Sequence, residues 1–271
     1  MAKIPTKVKT RIASELKRFQ PILSSAKARD VNESDTVTIV VDLLQYIFGY
    51  DKYSEITSEH SIRNTFCDLA IKINGSLALL IEVKSIGTEL KDNHIKQAVD
   101  YGANQGIDWV VLTNGVTWKV FKLSFSKPIE FEEILTLDLL SLNPKSEETT
   151  EFVALLSKEG VERSHLAEHH AHTRILNRYV LAAVLMSEPI VDYTRRELRR
   201  ISGDGKFSEE EVRNLLINEV LKRDVIDDAR AKDATKLVLK AQRQKSLRVV
   251  GKSGLSNNED AGSVEEKTES S

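Results

Sequence analysis

The sequence predicts an α/β fold: a mixed β-sheet flanked by helices, with an αβββαβ core, followed by an all-helical C-terminal region. Three observations predict it. Two stretches, "FCDLAIKINGSLALLIEVKS" (residues 66–85) and "DWVVLTNGVTWKVFKL" (residues 108–123), are strand-like runs around the turn dipeptides Asn74-Gly75 and Asn114-Gly115, which is the pattern of a β-hairpin. Between them, "TELKDNHIKQAVDYGANQG" reads as a helix. A strand, a helix and a strand in succession make a right-handed crossover, so strand 109–113 is expected parallel to strand 77–84. Past residue 144, strand signals nearly vanish.

The elements follow in order. At the N-terminus, Val8, Ile12, Leu16 and Phe19 recur at helical spacing in a basic segment, so residues 1–30 are expected to form an amphipathic helix docked on the body. In residues 34–48, Val37, Val40, Val41, Leu44, Ile47 and Phe48 form one helical stripe, and "GYD" ends this buried helix. A short extended piece near residues 53–61 precedes the first hairpin. The polar run "NPKSEETTE" from residue 143 reads as a linker. The expected domains are therefore the N-terminal helix, an α/β domain over 31–143, a helical domain over 150–246, and a disordered tail over 251–271, which has almost no apolar content.

Composition excludes more than it identifies. A net charge of −2 names no partner, and a single cysteine cannot form an internal disulfide and leaves little room for a cysteine-based zinc site. No apolar run approaches the roughly 20 residues that cross a bilayer, and the N-terminus lacks the apolar region of a secretory signal. The expectation is a cytoplasmic protein with no membrane partner.

The first hairpin carries Asp68, Glu82 and Lys84 among core-like residues. Buried charges cost free energy unless they pair, neutralise or hold a cation. Side chains alternate between the faces of a strand. By parity Cys67, Leu69, Ile71 and Ile73 share an apolar face with Leu77, Leu79, Ile81 and Val83. Asp68, Glu82 and Lys84 share the other face only if the turn keeps the even positions of both strands together. A two-residue Asn74-Gly75 loop pairing Ile73 with Ser76 would separate Asp68 from Glu82. A three-residue loop of Ile73, Asn74 and Gly75 with a bulge restores the match and makes Asp68 and Glu82 diagonal neighbours, roughly 7 Å apart at Cβ.

Two such carboxylates ~5 Å apart repel by about 3 kcal/mol at an effective dielectric of about 20. The pair therefore calls for a shared proton or a divalent cation, and a small set of hard oxygen ligands favours Mg²⁺ or Mn²⁺. Lys84 beside such a cation could lower the pKa of an attacking water and stabilise negative charge on a phosphorane-like transition state. The plainer reading is a Lys84–Glu82 ion pair on an exposed face. On the following helix, Gln97 and Tyr101 are four residues apart and lie on one face, where they could touch a phosphate or orient Lys84. The plainer reading for Tyr101 is packing on the sheet.

Asp68, then Glu82-Val83-Lys84, then Gln97-x-x-x-Tyr101 together resemble the PD-(D/E)xK nuclease superfamily, and within it the N-terminal nuclease domain of the type I restriction enzyme R subunit. The resemblance covers roughly residues 30–125 and implies a restriction-endonuclease-like fold. It also implies a divalent metal held by Asp68, Glu82 and the main-chain carbonyl of Val83, with Lys84 catalytic and Gln97 and Tyr101 supporting. The dipeptide before the acid is Cys67-Asp68 rather than Pro-Asp. Family members place a further glutamate on the first helix, a role that Glu33 fits at the head of the buried stripe. Asp42 faces the opposite side, and Glu59 is the reserve candidate. R subunits carry a helicase motor after this domain, whereas no Walker A pattern occurs here, so translocation would need a separate motor or specificity subunit.

Further features have plainer readings. His165 and His169 have the i, i+4 spacing of helical metal ligands within "HLAEHHAH", yet no third ligand is evident and a solvent-exposed helix is the simpler expectation. The basic stretches 194–200 and 229–248 could neutralise phosphates, or be solvated helix faces. Trp109 and Trp118 are read as core. The resulting expectation is a Mg²⁺- or Mn²⁺-dependent endonuclease acting on nucleic acid, DNA in the first instance, in a restriction or DNA-processing role. The alternatives are a catalytically silent nucleic-acid-binding or regulatory subunit of the same fold, and, more remotely, a zinc hydrolase built on the histidines.

Overall fold

The computed structural model describes residues 4–62, 65–203 and 205–253, which form two compact units, Met1–Ala171 and His172–Ser271. In the first unit, helices α1 (Thr6–Ala28) and α2 (Glu33–Tyr46) precede strands β1 (Ile56–Ile62), β2 (Thr65–Ile73) and β3 (Ser76–Val83). Helix α3 (Asp92–Gln105) leads to β4 (Trp109–Thr113), β5 (Thr117–Ser124) and β6 (Glu130–Asp138). The six strands form one sheet in sequential order, antiparallel except for the parallel β3–β4 pair made by the α3 crossover. The sheet is therefore mixed and flanked by helices, as expected.

Both faces of the sheet are covered. On one face, Val8, Ile12, Leu16, Phe19, Leu23 and Ala26 from α1 and Val40, Leu43 and Leu44 from α2 pack with Leu69, Ile71, Leu79, Ile81 and Val83. On the other, Ile95, Ala98, Val99 and Tyr101 from α3 pack with Ala70, Leu80, Val110 and Leu112. Helix α2 begins at Asn32, whose side chain accepts the Asp35 amide at 2.9 Å. Helix α3 ends at Gly106, with φ 68°, a left-handed cap that glycine adopts without a Cβ penalty. Trp118 is buried, donates from Nε1 to the Gly115 carbonyl at 3.0 Å, and packs 4.8 Å from the Phe48 ring. Trp109 is half-buried against the same core, under the Lys122 ammonium.

Three departures from the sequence-based expectations stand out. Strand β6 was not anticipated. It lies at the sheet edge and exposes Glu130, Glu132 and Glu133, charges that protect an unpaired edge but interrupt the apolar pattern. The polar run from residue 143 is not an interdomain linker, because α4 (Glu147–Ala154) and α5 (Lys158–Glu162) pack on the α/β body. Val153, Ala154, Leu155 and Leu156 enter its core. Lys9 binds Glu147 and Glu151 at 2.5 and 3.0 Å, Arg11 grips both oxygens of Glu159 at 2.7 Å, and Tyr50 donates to the Leu156 carbonyl at 2.8 Å. Helix α6 (His165–Ile175) buries His165 and His169, each 6% exposed, so the histidines are not on a solvent-exposed stripe. His169 meets the Phe152 ring edge-on, and His170 pairs with Glu132 at 3.2 Å.

The second unit contains α7 (Arg178–Leu185), α8 (Glu188–Ser202), α9 (Glu209–Leu215), a π-helical turn (Leu216–Val220), α10 (Arg223–Ile226) and α11 (Ala229–Ser253). Its core is small: Tyr179, Val180, Ala182, Val225 and Ala234. Much of its positive charge is matched on its own helices. Arg195 and Arg196 pair with Asp192, Arg200 with Glu197, Arg230 with Asp228 and Lys236 with Asp233. Helix α11 continues to Ser253, into the segment expected to be disordered, and the remainder of that segment lies outside the described residues.

Because α1 contributes six buried side chains to the larger core, Leu16→Ala should destabilise the first unit by about 2–5 kcal/mol, the range for a buried leucine leaving a cavity. Urea unfolding followed by tryptophan fluorescence, which reports Trp109 and Trp118, measures this directly.

Candidate active site

The site lies where β3 leaves the sheet. Its geometry starts at the β2–β3 turn, where Asn74 and Gly75 both take positive φ, 50° and 80°, and Ile73 pairs with Ser76. This is the two-residue hairpin turn, not the expected three-residue loop. The register shifts between Ile71 and Lys72, however: Lys72 pairs with Leu77, whereas Ile71 pairs with Leu79, leaving Ala78 as the extra residue of a β-bulge. From there Ala70 pairs with Leu80 and Leu69 with Ile81. Asp68 and Glu82 are the next residue of each strand past that last pair. The bulge also explains why Leu77 packs with the α3-side cluster, away from the face assigned to it by simple alternation.

Past Leu69, β2 peels away from β3 and the Asp68 side chain takes over the pairing. The Val83 amide donates to Asp68 Oδ2 at 2.7 Å. Cys67 accordingly falls in the α3-side cluster, with Sγ 3.2 Å from the Ile81 carbonyl, instead of on the apolar face with Leu69. Burial, reinforced by the nearby Glu82 and Asp68 charges, pushes the Cys67 thiol up to about 12, so it is a protonated core side chain and no nucleophile.

Glu82 is only 5% exposed. Its Oε1 accepts from Lys84 Nζ at 2.7 Å, and Glu33 Oε2 at the head of α2 lies 3.8 Å from the same ammonium. The Lys84 amide donates to the Thr113 carbonyl at 2.8 Å and so extends the parallel β3–β4 pairing by one residue. The structure thus brings Glu33, Asp68, Glu82 and Lys84 together, and the Lys84–Glu82 pair is largely buried rather than on an exposed face. Burial raises the Glu82 carboxyl above its ordinary value; the hydrogen bond from Lys84 offsets this only in part, and the Asp68 and Glu33 charges add to the rise. For Lys84, burial acts downward. Its bond to Glu82 and the charges of Glu82, Glu33 and Asp68 outweigh burial and hold its pKa above the ordinary lysine value. Lys84 is therefore a fixed cation across the neutral range.

Of the two α3 residues, Tyr101 is buried at 1% exposure on the inner face and Gln97 is exposed. Glu59 on β1 lies outside the residues whose side chains are described. The donor chemistry suits a small hard cation. Asp68 commits Oδ2 to the Val83 amide and Glu82 commits Oε1 to Lys84, which leaves the second oxygen of each carboxylate for a metal. Among the described residues, no group of three or more His, Cys, Asp or Glu side chains is already gathered to hold one. The histidines of α6 do not form such a group either.

Sequence reasoning missed the polar framework behind Lys84. Asn114, read only as a turn residue, is buried and bonds Thr88 in the segment that follows Lys84. Its strand-end position beside a charged strand was the available signal.

Residues 39–137 match the family described as type I restriction enzyme R protein N terminus. The match spans α2 through β6, apart from the first turns of α2 and the end of β6, and includes Asp68, Glu82, Lys84, Gln97 and Tyr101. No curated protein sequence and no solved structure matches the chain. No helix among the described residues is long and apolar enough to cross a membrane.

The raised pKa of Glu82 fixes the sign of a stability test. Its contribution to stability is fully present below the unfolded pKa and is lost as pH rises through the folded value. Glu82→Gln, which keeps an acceptor for Lys84 but cannot ionise, should therefore gain in melting temperature relative to wild type as pH rises from about 4 toward 7, then hold that gain. Parallel thermal melts in chelator across this range measure the difference.

Proposed function

We propose, for a chain whose residues 39–137 match the family described as type I restriction enzyme R protein N terminus, a metal-dependent endonuclease activity on nucleic acid, with DNA as the substrate. One observation carries the reading: the buried Glu82 carboxylate, with Asp68 bonded to the adjacent Val83 amide, is joined to the Lys84 ammonium at the end of a parallel strand pair. Charges placed at such cost in a sheet interior fit a reaction site better than a structural strand.

Asp68, Glu82 and the Val83 carbonyl would hold Mg²⁺ or Mn²⁺, with Glu33 as a further carboxylate beside them. When bound, the cation supplies Lewis acidity at a phosphate oxygen and makes a bound water easier to deprotonate. Lys84, protonated near neutral pH, is not the general base. Its ammonium is suited to neutralise negative charge that builds on the scissile phosphate. Tyr101 supports the strand from behind through α3 packing, and Gln97, exposed on the same helix, would touch the nucleic-acid backbone. A motor or specificity subunit would supply translocation and targeting in a restriction or DNA-processing system.

A non-cleaving regulatory subunit is the second reading. It is favoured by the Lys84–Glu82 bond, which leaves Glu82 a single carboxylate oxygen for a metal. Incubation of the full chain with supercoiled, linear and single-stranded DNA, with and without Mg²⁺, separates the two. The nuclease reading predicts Mg²⁺-dependent cleavage that Asp68→Asn abolishes and Lys84→Ala lowers by about 10²–10³-fold. Calorimetry should show Mg²⁺ affinity lost in Asp68→Asn and largely kept in Lys84→Ala. DNA binding without cleavage in any substrate form would favour the regulatory subunit.

A further inference from the structure

Lys84 is followed by a segment, residues 85–91, that is tied to Asn114 and bordered by Asp30 before α3 begins. Ser85 and Thr88 close it on itself: the Thr88 amide donates to the Ser85 carbonyl at 2.9 Å, and their hydroxyls are 2.6 Å apart. On one side is Asn114, 8% exposed at the end of β4. Its Nδ2 donates to the Thr88 carbonyl at 2.9 Å, while its Oδ1 accepts the Val116 and Thr117 amides at 3.1 and 2.8 Å. On the other side, Asp30 occupies the corner between α1 and α2. The exposed Asp30 carboxylate lies against Gly87, a contact it can relieve by turning its side chain. Asp30 is three residues before Glu33, and Thr113, whose carbonyl takes the Lys84 amide, is next to Asn114.

We propose that Asn114 is a positioning residue for the active site. Through Nδ2 and the Thr88 carbonyl it fixes the 85–91 segment, and with it the place of the Lys84 ammonium between Glu82 and Glu33. A turn that served only the β4–β5 hairpin needs the Oδ1 acceptor alone. The donated bond reaches 26 residues back in sequence and ties the hairpin to the strand end that carries the charges. This inference rests on the nuclease reading for its catalytic consequence and on hydrogen bonding for its structural one.

Asn114→Asp separates the two uses of the side chain, because it keeps the acceptor for Val116 and Thr117 and loses the donor to Thr88. Asn114→Ala loses both. Two readouts need no substrate: amide hydrogen exchange at Thr88, and the rate at which an amine-reactive acetylating reagent labels Lys84, normalised to the exposed Lys91. In Asn114→Asp, Thr88 exchange and Lys84 labelling should each rise about tenfold, the effect of losing one hydrogen bond of ordinary strength. The Val116 and Thr117 amides should stay as protected as in wild type. In Asn114→Ala all four should change. Where the wild type cleaves DNA, Asn114→Asp should lower kcat about tenfold with KM unchanged. Lys84 labelling at the wild-type rate in Asn114→Asp overturns the proposal, even if Thr88 exchange rises. Altered labelling in a chain that cleaves no DNA upholds the positioning and counts against the nuclease reading alone.

Discussion

A buried carboxylate needs a partner within reach, and in this protein the spacing of two β-strands supplies it. Because side chains alternate faces along a strand, a shift of one residue exchanges the whole set. The tight turn at Asn74-Gly75, followed without interruption, would set Asp68 opposite Ile81 and send its carboxylate into the apolar layer beneath α1 and α2. The extra residue at Ala78 corrects the register before the charges are reached. Leu69, Ile71, Leu79, Ile81 and Val83 can then seal one face, while Asp68 takes the Val83 amide beside Glu82. The crossover through α3 brings β4 alongside, the Thr113 carbonyl extends the pairing to Lys84, and the ammonium reaches both Glu82 and Glu33.

The electrostatics follow from the same placement. Taken out of water, Glu82 would protonate readily if left alone; Lys84 counters part of that cost, and Lys84 in turn keeps its charge because three carboxylates surround it. This arrangement holds negative charge in reserve at the end of the interior β3–β4 pair. A divalent cation would relieve it, which is the physical link between the fold and the proposed chemistry.

Much of the fold was legible in the sequence because it rests on periodicity. The stripes of α1 and α2, the two Asn-Gly hairpins and the parallel crossover all follow from apolar spacing and turn chemistry. Asp68, Glu82 and Lys84 were legible as a set because charges among core residues are costly. The bulge was not, since parity requires an extra residue without saying where, and the alanine that supplies it carries no signal. Strand β6 was hidden by its own exposed glutamates. The polar run after Asn143 resembles a linker because Lys9, which binds its Glu147 and Glu151, lies more than 130 residues earlier in the chain. The burial of His165 and His169 depends on what α6 packs against, which no local pattern records.

The central claim is therefore one of register, and interstrand nuclear Overhauser contacts between β2 and β3 test it most directly. The bulged register predicts contacts that pair Leu69 with Ile81 and Ala70 with Leu80, with Ala78 left without a partner of its own. Contacts that pair Asp68 with Ile81, continuing the Ile73–Ser76 register unbroken, would place the two carboxylates on opposite faces and contradict both the site and the chemistry proposed for it.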